Sequence, residues 1–186
     1  MIFGKRVRLR AIEKDDLPRF VAWLNDPEVR RKLFRYQPLS MGQEELWYEA
    51  ILKEPVDEQP LCIDIKNDEK WVHAGNTSFM QLNQHDRSAE IGIFIGRKDF
   101  WNKGFGCEAM RLMVGHGFYD LNLNRIYLRV YETNPNGVRC YEKAGFKLEG
   151  RLREARFHEG KYIDMLMMSI LKSEWIETEN NSGGCA

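Results

Sequence analysis

The sequence predicts one mixed α/β domain with a mostly antiparallel sheet. Several segments alternate apolar and polar residues, which is typical of half-buried strands, and others space their apolar residues along one face of a helix. The last two predicted strands are joined by HEGK, a sequence typical of a tight hairpin turn. No internal repeat or linker interrupts this order, so a single sheet flanked by helices is the most economical arrangement.

The first third of the chain predicts a strand and then helices. KRVRLRAI alternates Val7, Leu9 and Ala11 with arginines and therefore predicts a half-buried strand. EKDDLPRFVAWLND begins with acids and then spaces its apolar residues helically, so it predicts a helix that stops near NDP. PEVRRKLF predicts a short second helix or a turn. Ser40, with Gln43 three residues later, predicts a capping box at the start of a third helix.

The middle of the chain predicts strands. LCIDIK alternates, DEKWVHAGNTSFMQL contains two strand-like runs around Gly75, and SAEIGIFIG places Ala89, Ile93 and Ile95 on one side. Gly92, in the interior of that last strand, indicates a bulge or a close approach of another backbone.

The second half of the chain alternates helices with strands. After FWNKGFGCEAM, apolar residues from Met110 to Leu121 follow helical spacing, and RIYLRVYE then alternates as a strand does. In NPNGVRCYEKAGF, Asn134 suits a helix N-cap, Pro135 the first helical position and Gly145 the helix stop. KLEGRLREARF and YIDMLMMSIL complete the sheet as two strands that flank HEGK.

Composition and charge argue against several function classes. The chain has 186 residues, with 28 lysines and arginines balanced by 28 aspartates and glutamates. That length suits one domain, expected over residues 1–175, and the polar end 176–186 is expected to be disordered. The lack of net basic charge argues against nucleic acid, and no apolar run is long enough for a membrane span. The N-terminus has no signal-peptide core, so we expect a cytoplasmic protein.

Neither the cysteines nor the histidines predict a metal site. The cysteines, which form no C-x-x-C pair and suit neither a zinc site nor a disulfide framework, are Cys62, Cys107, Cys140 and Cys185. The histidines, which do not cluster in sequence with another ligand type, are His73, His85, His116 and His158. We therefore expect no metal cofactor.

The segment FWNKGFGCEAM predicts an anion site at the start of a helix. It does not match a Walker loop because Lys103 precedes its glycine, and it lacks the third glycine of a dinucleotide fingerprint. Gly104 and Gly106 let the backbone turn, and the N–H groups of the first helical turn then point outward beside the positive end of the helix dipole. Taken alone, the same residues also suit a plain strand-to-helix turn.

The order of AEIGIFIGRKDFWNKGFGCEAM, a strand and NPNGVRCYEKAGFKLEG resembles the GNAT superfamily of N-acetyltransferases. It is more closely similar to the RimJ/RimL branch, which acetylates ribosomal-protein N-termini and other amines, and the resemblance covers about residues 5 to 171. It implies a GNAT fold, in which a mixed, mostly antiparallel sheet is splayed at the coenzyme strand and flanked by helices. Trp101 replaces the first residue of the superfamily pattern Q/R-x-x-G-x-G/A, a departure common in the RimJ/RimL branch. Phosphate contacts would therefore fall to backbone N–H groups and Lys103.

The resemblance implies acetyl-coenzyme A as the cosubstrate, bound between the strands at Glu90–Ile95 and Arg125–Glu132. Backbone groups of the first strand would pair with the pantetheine amides as an added strand does, and an N–H near Ile93 would hold the developing oxyanion. The pyrophosphate would lie on the glycine loop and the helix start. The implied coenzyme-binding residues are Ile93, Phe94, Ile95, Trp101, Asn102, Lys103, Gly104, Phe105, Gly106, Asn134, Asn136 and Tyr141.

Two residues are candidates for proton transfer. An alkylammonium, with a pKa of about 10.4, must lose a proton before it attacks, and the leaving thiolate gains from an acid. Tyr141 occupies the position at which the superfamily places that acid, although its place on the helix also suits a core aromatic residue. Glu90, on the same side of its strand as Phe94, is the best candidate for the base. A salt-bridged or solvated strand glutamate is the alternative.

The predicted acceptor is a primary amine, either a protein N-terminal α-amine or a small molecule. In this superfamily, acceptor specificity comes from the first two helices and the late hairpin. The basic residues near these helices are Arg30, Arg31, Lys32 and Arg35, and the acidic residues are Glu28, Glu44, Glu45 and Glu49. The basic segment argues against a polycationic, spermidine-like acceptor, and it suits an acceptor with a carboxylate or phosphate, or simply a solvated face. The acidic residues could still bind an ammonium.

Two alternatives to this function stay open. One is a polyamine acetyltransferase, and the other is a non-catalytic GNAT-fold protein that senses acetyl-coenzyme A or pairs with another subunit. The presence of Tyr141, Asn134 and both loop glycines favours an enzyme. We expect it to act as a monomer or a homodimer.

Overall fold

The computed structural model describes residues 1–176, in which eight strands form one sheet. The strands are β1 (Ile2–Phe3), β2 (Val7–Ala11), β3 (Leu61–Asn67), β4 (Lys70–Asn83), β5 (Ser88–Ile95), β6 (Arg125–Tyr131), β7 (Lys147–His158) and β8 (Lys161–Leu171). Their order across the sheet is β1-β2-β3-β4-β5-β6-β8-β7. The predicted disordered tail lies outside the described residues from position 177 onward.

Helices flank this sheet. In the described part of the chain they are α1 (Leu17–Asn25), α2 (Pro27–Arg30), α3 (Met41–Ile51), α4 (Phe105–Tyr119) and α5 (Pro135–Lys143), and residues 172–176 are also helical. None of the helices within residues 1–176 combines the length and the apolar character that a membrane crossing requires.

The strand pairing confirms a mixed, mostly antiparallel sheet. The pairs β1–β2, β2–β3, β3–β4, β6–β8 and β7–β8 are antiparallel, whereas β5 and β6 are parallel. The parallel pairing runs from Ser88↔Arg125 to Glu90↔Tyr127, although β5 itself continues to Ile95. The pairing therefore ends beside Gly92, the position at which the sequence predicts an irregularity.

The described chain divides into two compact units. The first unit contains Met1–Phe79 and Gly92–Leu112, and the second contains Met80–Ile91 and the chain from Met113 onward. The core of the first unit includes the buried residues Leu9, Phe20 and Ile63, and that of the second includes Phe118, Ile126 and Met168. That residues 1–175 act as a single domain stays a prediction.

Several helix boundaries form as the sequence predicts. The Ser40 side chain accepts a hydrogen bond from the Gln43 N–H at 3.2 Å, and the Gln43 side chain accepts one from the Ser40 N–H at 3.0 Å, which completes the capping box. Asn134 caps α5 by accepting from the Gly137 N–H at 3.1 Å. Gly145 ends the same helix with a φ of 101°, a left-handed conformation that favours glycine.

One strand differs from its prediction. The two runs around Gly75 form a single continuous strand, β4. Gly75 lies inside this strand without interrupting it. The glycine is needed for another reason, which is the close approach of the β5 backbone. A Cβ at position 75 would lie 2.0 Å from the Phe94 carbonyl oxygen, so β5 can approach β4 only where this side chain is missing.

Candidate active site

The predicted anion loop of the first unit joins β5 to α4. Asn102 and Gly104 both have left-handed backbone, with φ values of 59° and 85°. These two turns place Phe105 as the first residue of α4, so the N–H groups of the first helical turn follow the loop directly. Lys103 is exposed between the two turns. Gly106 is already part of α4, so of the two loop glycines only Gly104 makes the predicted turn. This geometry suits an anion, and anion binding at the loop stays a prediction.

Arg6 and Glu108 hold the start of β2 against the first turn of α4. Glu108 Oε1 accepts hydrogen bonds from the backbone N–H groups of Arg6 (2.6 Å) and Val7 (3.1 Å). Glu108 Oε2 accepts from Arg6 Nε at 3.0 Å. The Arg6 guanidinium also donates to the Lys103 carbonyl at 3.4 Å and covers the Phe105 ring. We call these contacts the Arg6–Glu108 clamp; they support the glycine loop from outside.

Trp101 fixes the other end of the loop. Its indole N–H donates to the Ile95 carbonyl at 2.7 Å, and the Lys32 ammonium lies 3.4 Å above its ring. Burial lowers the pKa of Lys32, with Glu28 opposing the effect. The Ile95 carbonyl, predicted to pair with the pantetheine arm, already accepts one hydrogen bond from within the chain. It therefore has only its second lone pair left for the coenzyme.

The coenzyme strand borders a cavity of the first unit. The β5 residues Ile93, Phe94 and Ile95 are half-buried. The Phe94 ring contacts the Phe20 ring edge-on, with their centroids 6.3 Å apart. The cavity has a volume of about 270 Å³ and is lined by Phe20, Leu24, Arg35, Leu39, Gln43, Glu44, Trp47 and Asn76. Phe20 is therefore the lining residue that contacts the strand assigned by the sequence to the acyl donor.

Glu44 is the acidic residue of this cavity. It is only 5% exposed, and no hydrogen bond joins its carboxylate to another residue between positions 1 and 176. Burial raises the pKa of Glu44, and the positive charge of Arg35 partly opposes this rise. The other three candidate acids do not line the cavity. The structure therefore singles out Glu44 as the group available to an ammonium.

Tyr141 lies on α5 in the second unit. Its ring meets Phe146 edge-on with the centroids 6.2 Å apart, and the residue is half-buried. Burial raises the pKa of Tyr141, and the neighbouring Cys140 adds to the effect. Within the described residues, its hydroxyl forms no hydrogen bond with a side chain or backbone group. The phenol thus keeps its proton at neutral pH and has it free for another acceptor.

The two asparagines near Tyr141 have different surroundings. The side-chain oxygen of Asn134 is used as the cap of α5, and its amide group would lie 2.6 Å from a Cβ on Gly137. Position 137 must therefore stay a glycine for this cap to form. Asn136 is exposed and accepts a hydrogen bond from Arg139.

Glu90 is paired within the second unit. Both of its carboxylate oxygens accept hydrogen bonds from Arg129, each at 2.8 Å, and the residue is 3% exposed. The hydrogen bond to Glu90 raises the pKa of Arg129. A carboxylate held in this way is a poor proton acceptor until the guanidinium moves, so the geometry favours the salt-bridged alternative. Its role as the base stays a prediction.

A second buried cluster of the first unit combines Asp16, Cys62 and His73, whose ligand atoms lie within 4.8 Å of one another. Arg10 donates to both oxygens of Asp16, at 2.7 and 2.8 Å, and Cys62 Sγ donates to one of them. Arg19 donates to His73 Nδ1, and His73 Nε2 donates to the Gly75 carbonyl. The lone pairs that a metal would need are thus engaged by protein donors, two of them cationic.

The predicted site residues are divided between the two units. The first unit brings together the β5 segment, the glycine loop and Trp101. The second contains Glu90, Asn134, Asn136 and Tyr141. Sequence reasoning missed the Arg6–Glu108 clamp, because nothing in one sequence pairs a strand start with a distant helix. The acidic first turn of α4 was the available signal, since helix dipoles favour acids there.

Known proteins resemble this chain in sequence and in fold. A family model described as an acetyltransferase (GNAT) domain matches residues 6–147. An uncharacterized N-acetyltransferase, p20 of Bacillus licheniformis, is 29% identical over 176 residues, which cover 94% of this chain and 97% of the relative. A spermidine N(1)-acetyltransferase of Vibrio cholerae is 31% identical over 173 residues, which cover 93% and 97%. The crystal structure of spermidine N-acetyltransferase from Vibrio cholerae in complex with CoA and spermine has a TM-score of 0.85 and 29% identity. That match covers 93% of this chain and 99% of the other.

Proposed function

This chain belongs to the GNAT family of acetyltransferases, and from that premise we propose that it acetylates a primary amine whose nitrogen binds near Glu44. The chain is an acetyl-coenzyme A-dependent N-acetyltransferase. The observation that carries the proposal is a buried carboxylate without a hydrogen-bond partner among residues 1–176, in a cavity beside the coenzyme strand. Such a carboxylate attracts an ammonium more strongly than an exposed one does.

The coenzyme-binding residues are proposed as the sequence predicts them. The backbone of Ile93 and Phe94 would bind the pantetheine arm, and the N–H groups of Phe105 and Gly106 at the start of α4 would bind the pyrophosphate. The residues fit this role, because two left-handed turns and an exposed lysine precede the helix. Ile95 would contact the coenzyme through its N–H group and the second lone pair of its carbonyl, because Trp101 already donates to that carbonyl.

Tyr141 is proposed as the general acid. In acyl transfer to an amine, a C–N bond forms and the C–S bond of the thioester breaks. The amine loses a proton and the leaving thiolate gains one. The Tyr141 phenol can supply the proton to sulphur, because its raised pKa keeps it protonated and no described residue takes its hydrogen bond.

The proton of the ammonium has two proposed acceptors. Glu90 was the first candidate, but Arg129 occupies both of its oxygens. Glu44 lies in the acceptor cavity, and a raised pKa makes its carboxylate a better base than an ordinary one. We therefore rank Glu44 before Glu90 as the residue that removes this proton.

Separate observations support the branch of the GNAT family to which the chain is assigned and the amine that it acetylates. Trp101, in place of the glutamine or arginine of the superfamily pattern, supports the RimJ/RimL branch. A second candidate function, spermidine acetylation, is favoured by the names of the relatives in Vibrio cholerae. A cavity with one acid and one arginine supports a single ammonium better than a chain of several.

The pH dependence of transfer tests the acid. The change is Tyr141→Phe, and we expect kcat to fall by at least about a hundredfold, since general acids contribute that much. The loss should be similar across the accessible pH range, because the raised pKa keeps the Tyr141 phenol protonated throughout it. Tyr119→Phe, an exposed tyrosine of α4, is the matched control. Unchanged kcat in Tyr141→Phe at every pH would show that another group protonates the thiolate.

A further inference from the structure

We infer that the acceptor carries an anionic group as well as its amine, so that its two charges match Glu44 and Arg35 in one cavity. This inference rests on the proposed function, because it assumes that the acceptor binds in the cavity lined by both residues. It names a substrate class, an aminocarboxylate or aminophosphonate, in place of any primary amine.

The first argument is the state of the two charged groups. Glu44 is 5% exposed and lines the cavity without a hydrogen bond to another described residue. Arg35 lines the same cavity, and within residues 1–176 its guanidinium also donates no hydrogen bond. Buried or half-enclosed charges in proteins are normally satisfied by partners. Glu44 is therefore left to be satisfied by what the cavity binds, and the exposed Arg35 offers that ligand a guanidinium with no competing hydrogen-bond acceptor among residues 1–176.

The second argument is electrostatic. The positive charge of Arg35 is close enough to oppose the rise that burial causes in the pKa of Glu44, yet the two side chains do not form a salt bridge. A molecule with a cation and an anion can lie between them and pair with both. A diamine would satisfy Glu44 but would bring its second cation toward Arg35, and like charges at close range cost binding free energy.

The third argument is the contrast with the rest of the basic segment. Lys32 is engaged above the Trp101 ring, and neither Arg30 nor Arg31 lines the cavity. Of the basic residues predicted to influence the acceptor, only Arg35 therefore faces the cavity. The planar guanidinium also binds carboxylate and phosphonate oxygens in a forked geometry.

The test compares acceptors that share a short carbon chain and differ in their far end. The acceptors are γ-aminobutyrate, aminopropylphosphonate, n-butylamine and putrescine, each with acetyl-coenzyme A and the full chain. We expect kcat/KM for an acceptor with an anion to exceed that for n-butylamine by about tenfold, the equivalent of 1.4 kcal/mol. Putrescine should be poorer than n-butylamine. Comparing γ-aminobutyrate with aminopropylphosphonate shows whether the cavity prefers a carboxylate or a phosphonate.

Arg35→Glu provides the decisive variant, because Arg35 is exposed and its replacement leaves the core unchanged. We expect it to reverse the order, so that putrescine becomes the best of the four. Arg30→Glu makes the same charge change outside the cavity and should leave the order as it is in the wild type. If the amines are acetylated but Arg35→Glu preserves their order, or the wild type prefers putrescine, the inference is wrong while the proposed function stands. Acetylation of none of the four acceptors would overturn both.

Discussion

Asp16 and Glu44 are both buried carboxylates of the first unit, yet their surroundings are opposite. Phe20 connects the two places, since its ring contacts His73 beside Asp16 and also lines the cavity that contains Glu44. Asp16 accepts hydrogen bonds from Arg10, Arg19 and backbone, whereas Glu44 accepts none from the described residues.

The pKa values of the two acids follow these surroundings. Burial alone would raise the pKa of Asp16, but hydrogen bonds from Arg10 and from the Glu13 backbone hold it well below its usual range. Burial raises the pKa of Glu44, and only the charge of Arg35 opposes it. A buried acid whose partners belong to its own chain stabilises the fold. A buried acid without them is available to a ligand.

The largest expected effect on stability comes from removing the charge of Asp16, the acid whose hydrogen bonds are all made within the chain. Asp16→Asn should lower the free energy of unfolding by about 3 kcal/mol, because it removes the buried negative charge with which both Arg10 and Arg19 pair. Glu44→Gln, the matched variant in the cavity, should change it by less than about 0.5 kcal/mol, since no hydrogen bond is lost. Urea unfolding at neutral pH measures both. Equal losses in the two variants would show that Glu44 is structural as well.

The pH dependence of stability sharpens the comparison through His73. Burial lowers the pKa of His73 from 6.5 to about 4. Above pH 6.5 the ring is neutral in both folded and unfolded chains, so its titration does not change the free energy of unfolding. As the pH falls from about 6.5 to about 4, the unfolded chain binds a proton that the folded chain excludes, and stability is lost. The pKa difference of about 2.5, at 1.36 kcal/mol for each unit, corresponds to about 3 kcal/mol.

Urea unfolding across this pH range measures the effect. His73→Gln should remove the loss of stability between pH 6.5 and pH 4, whereas His85→Gln, at an exposed loop position, should retain it. A loss of the same size in both variants would assign the acid sensitivity to other groups.

Most of the fold was predictable from the sequence, because local patterns specify it. Alternation located the strands, and Ser40 and Asn134 located two helix starts through chemistry that acts over three residues. The continuity of β4 was not predictable, since the reason for Gly75 is a carbonyl from another strand.

The site was predictable only in part, for a related reason. The turn at Gly104 follows from local sequence, whereas Gly106, predicted to help the backbone turn, is already part of α4. Asp16 and Glu44 are both acids near the start of a helix, and no local pattern distinguishes their roles. The difference arises from distant groups such as Arg10 on β2 and the cavity wall at Asn76 on β4. Pairing across the fold, which one sequence does not reveal, decides which acid is free.

A third carboxylate, Glu108, allows a smaller test, since it is satisfied like Asp16 but lies beside the coenzyme loop. Arg6→Ala removes the side-chain half of the Arg6–Glu108 clamp and should raise KM for acetyl-coenzyme A by about threefold, because an exposed ion pair contributes under about 1 kcal/mol. KM for the amine should stay constant. Lys5→Ala, one position earlier and exposed, is the control. An equal rise in both Michaelis constants would show a general loss of structure instead of a loosened loop.

The smallest expected effect concerns Glu28, an exposed acid that, like Glu44, belongs to the helices predicted to set acceptor specificity. Lys98 lies 3.1 Å from Glu28 and also pairs with Asp26 at 2.9 Å, so Glu28 has a partner that shields it from a substrate ammonium. Glu28→Gln should therefore change the free energy of unfolding by less than about 0.5 kcal/mol and leave KM for the amine unchanged, because Asp26 keeps Lys98 in place. Glu44→Gln, with the same chemical change, should raise that KM by about tenfold, the equivalent of 1.4 kcal/mol, and should also lower kcat, because Glu44 is the proposed base. Steady-state kinetics with the preferred acceptor compares the two variants. If Glu28→Gln raises KM as much as Glu44→Gln does, then exposure rather than the absence of a partner determines which acid binds the amine.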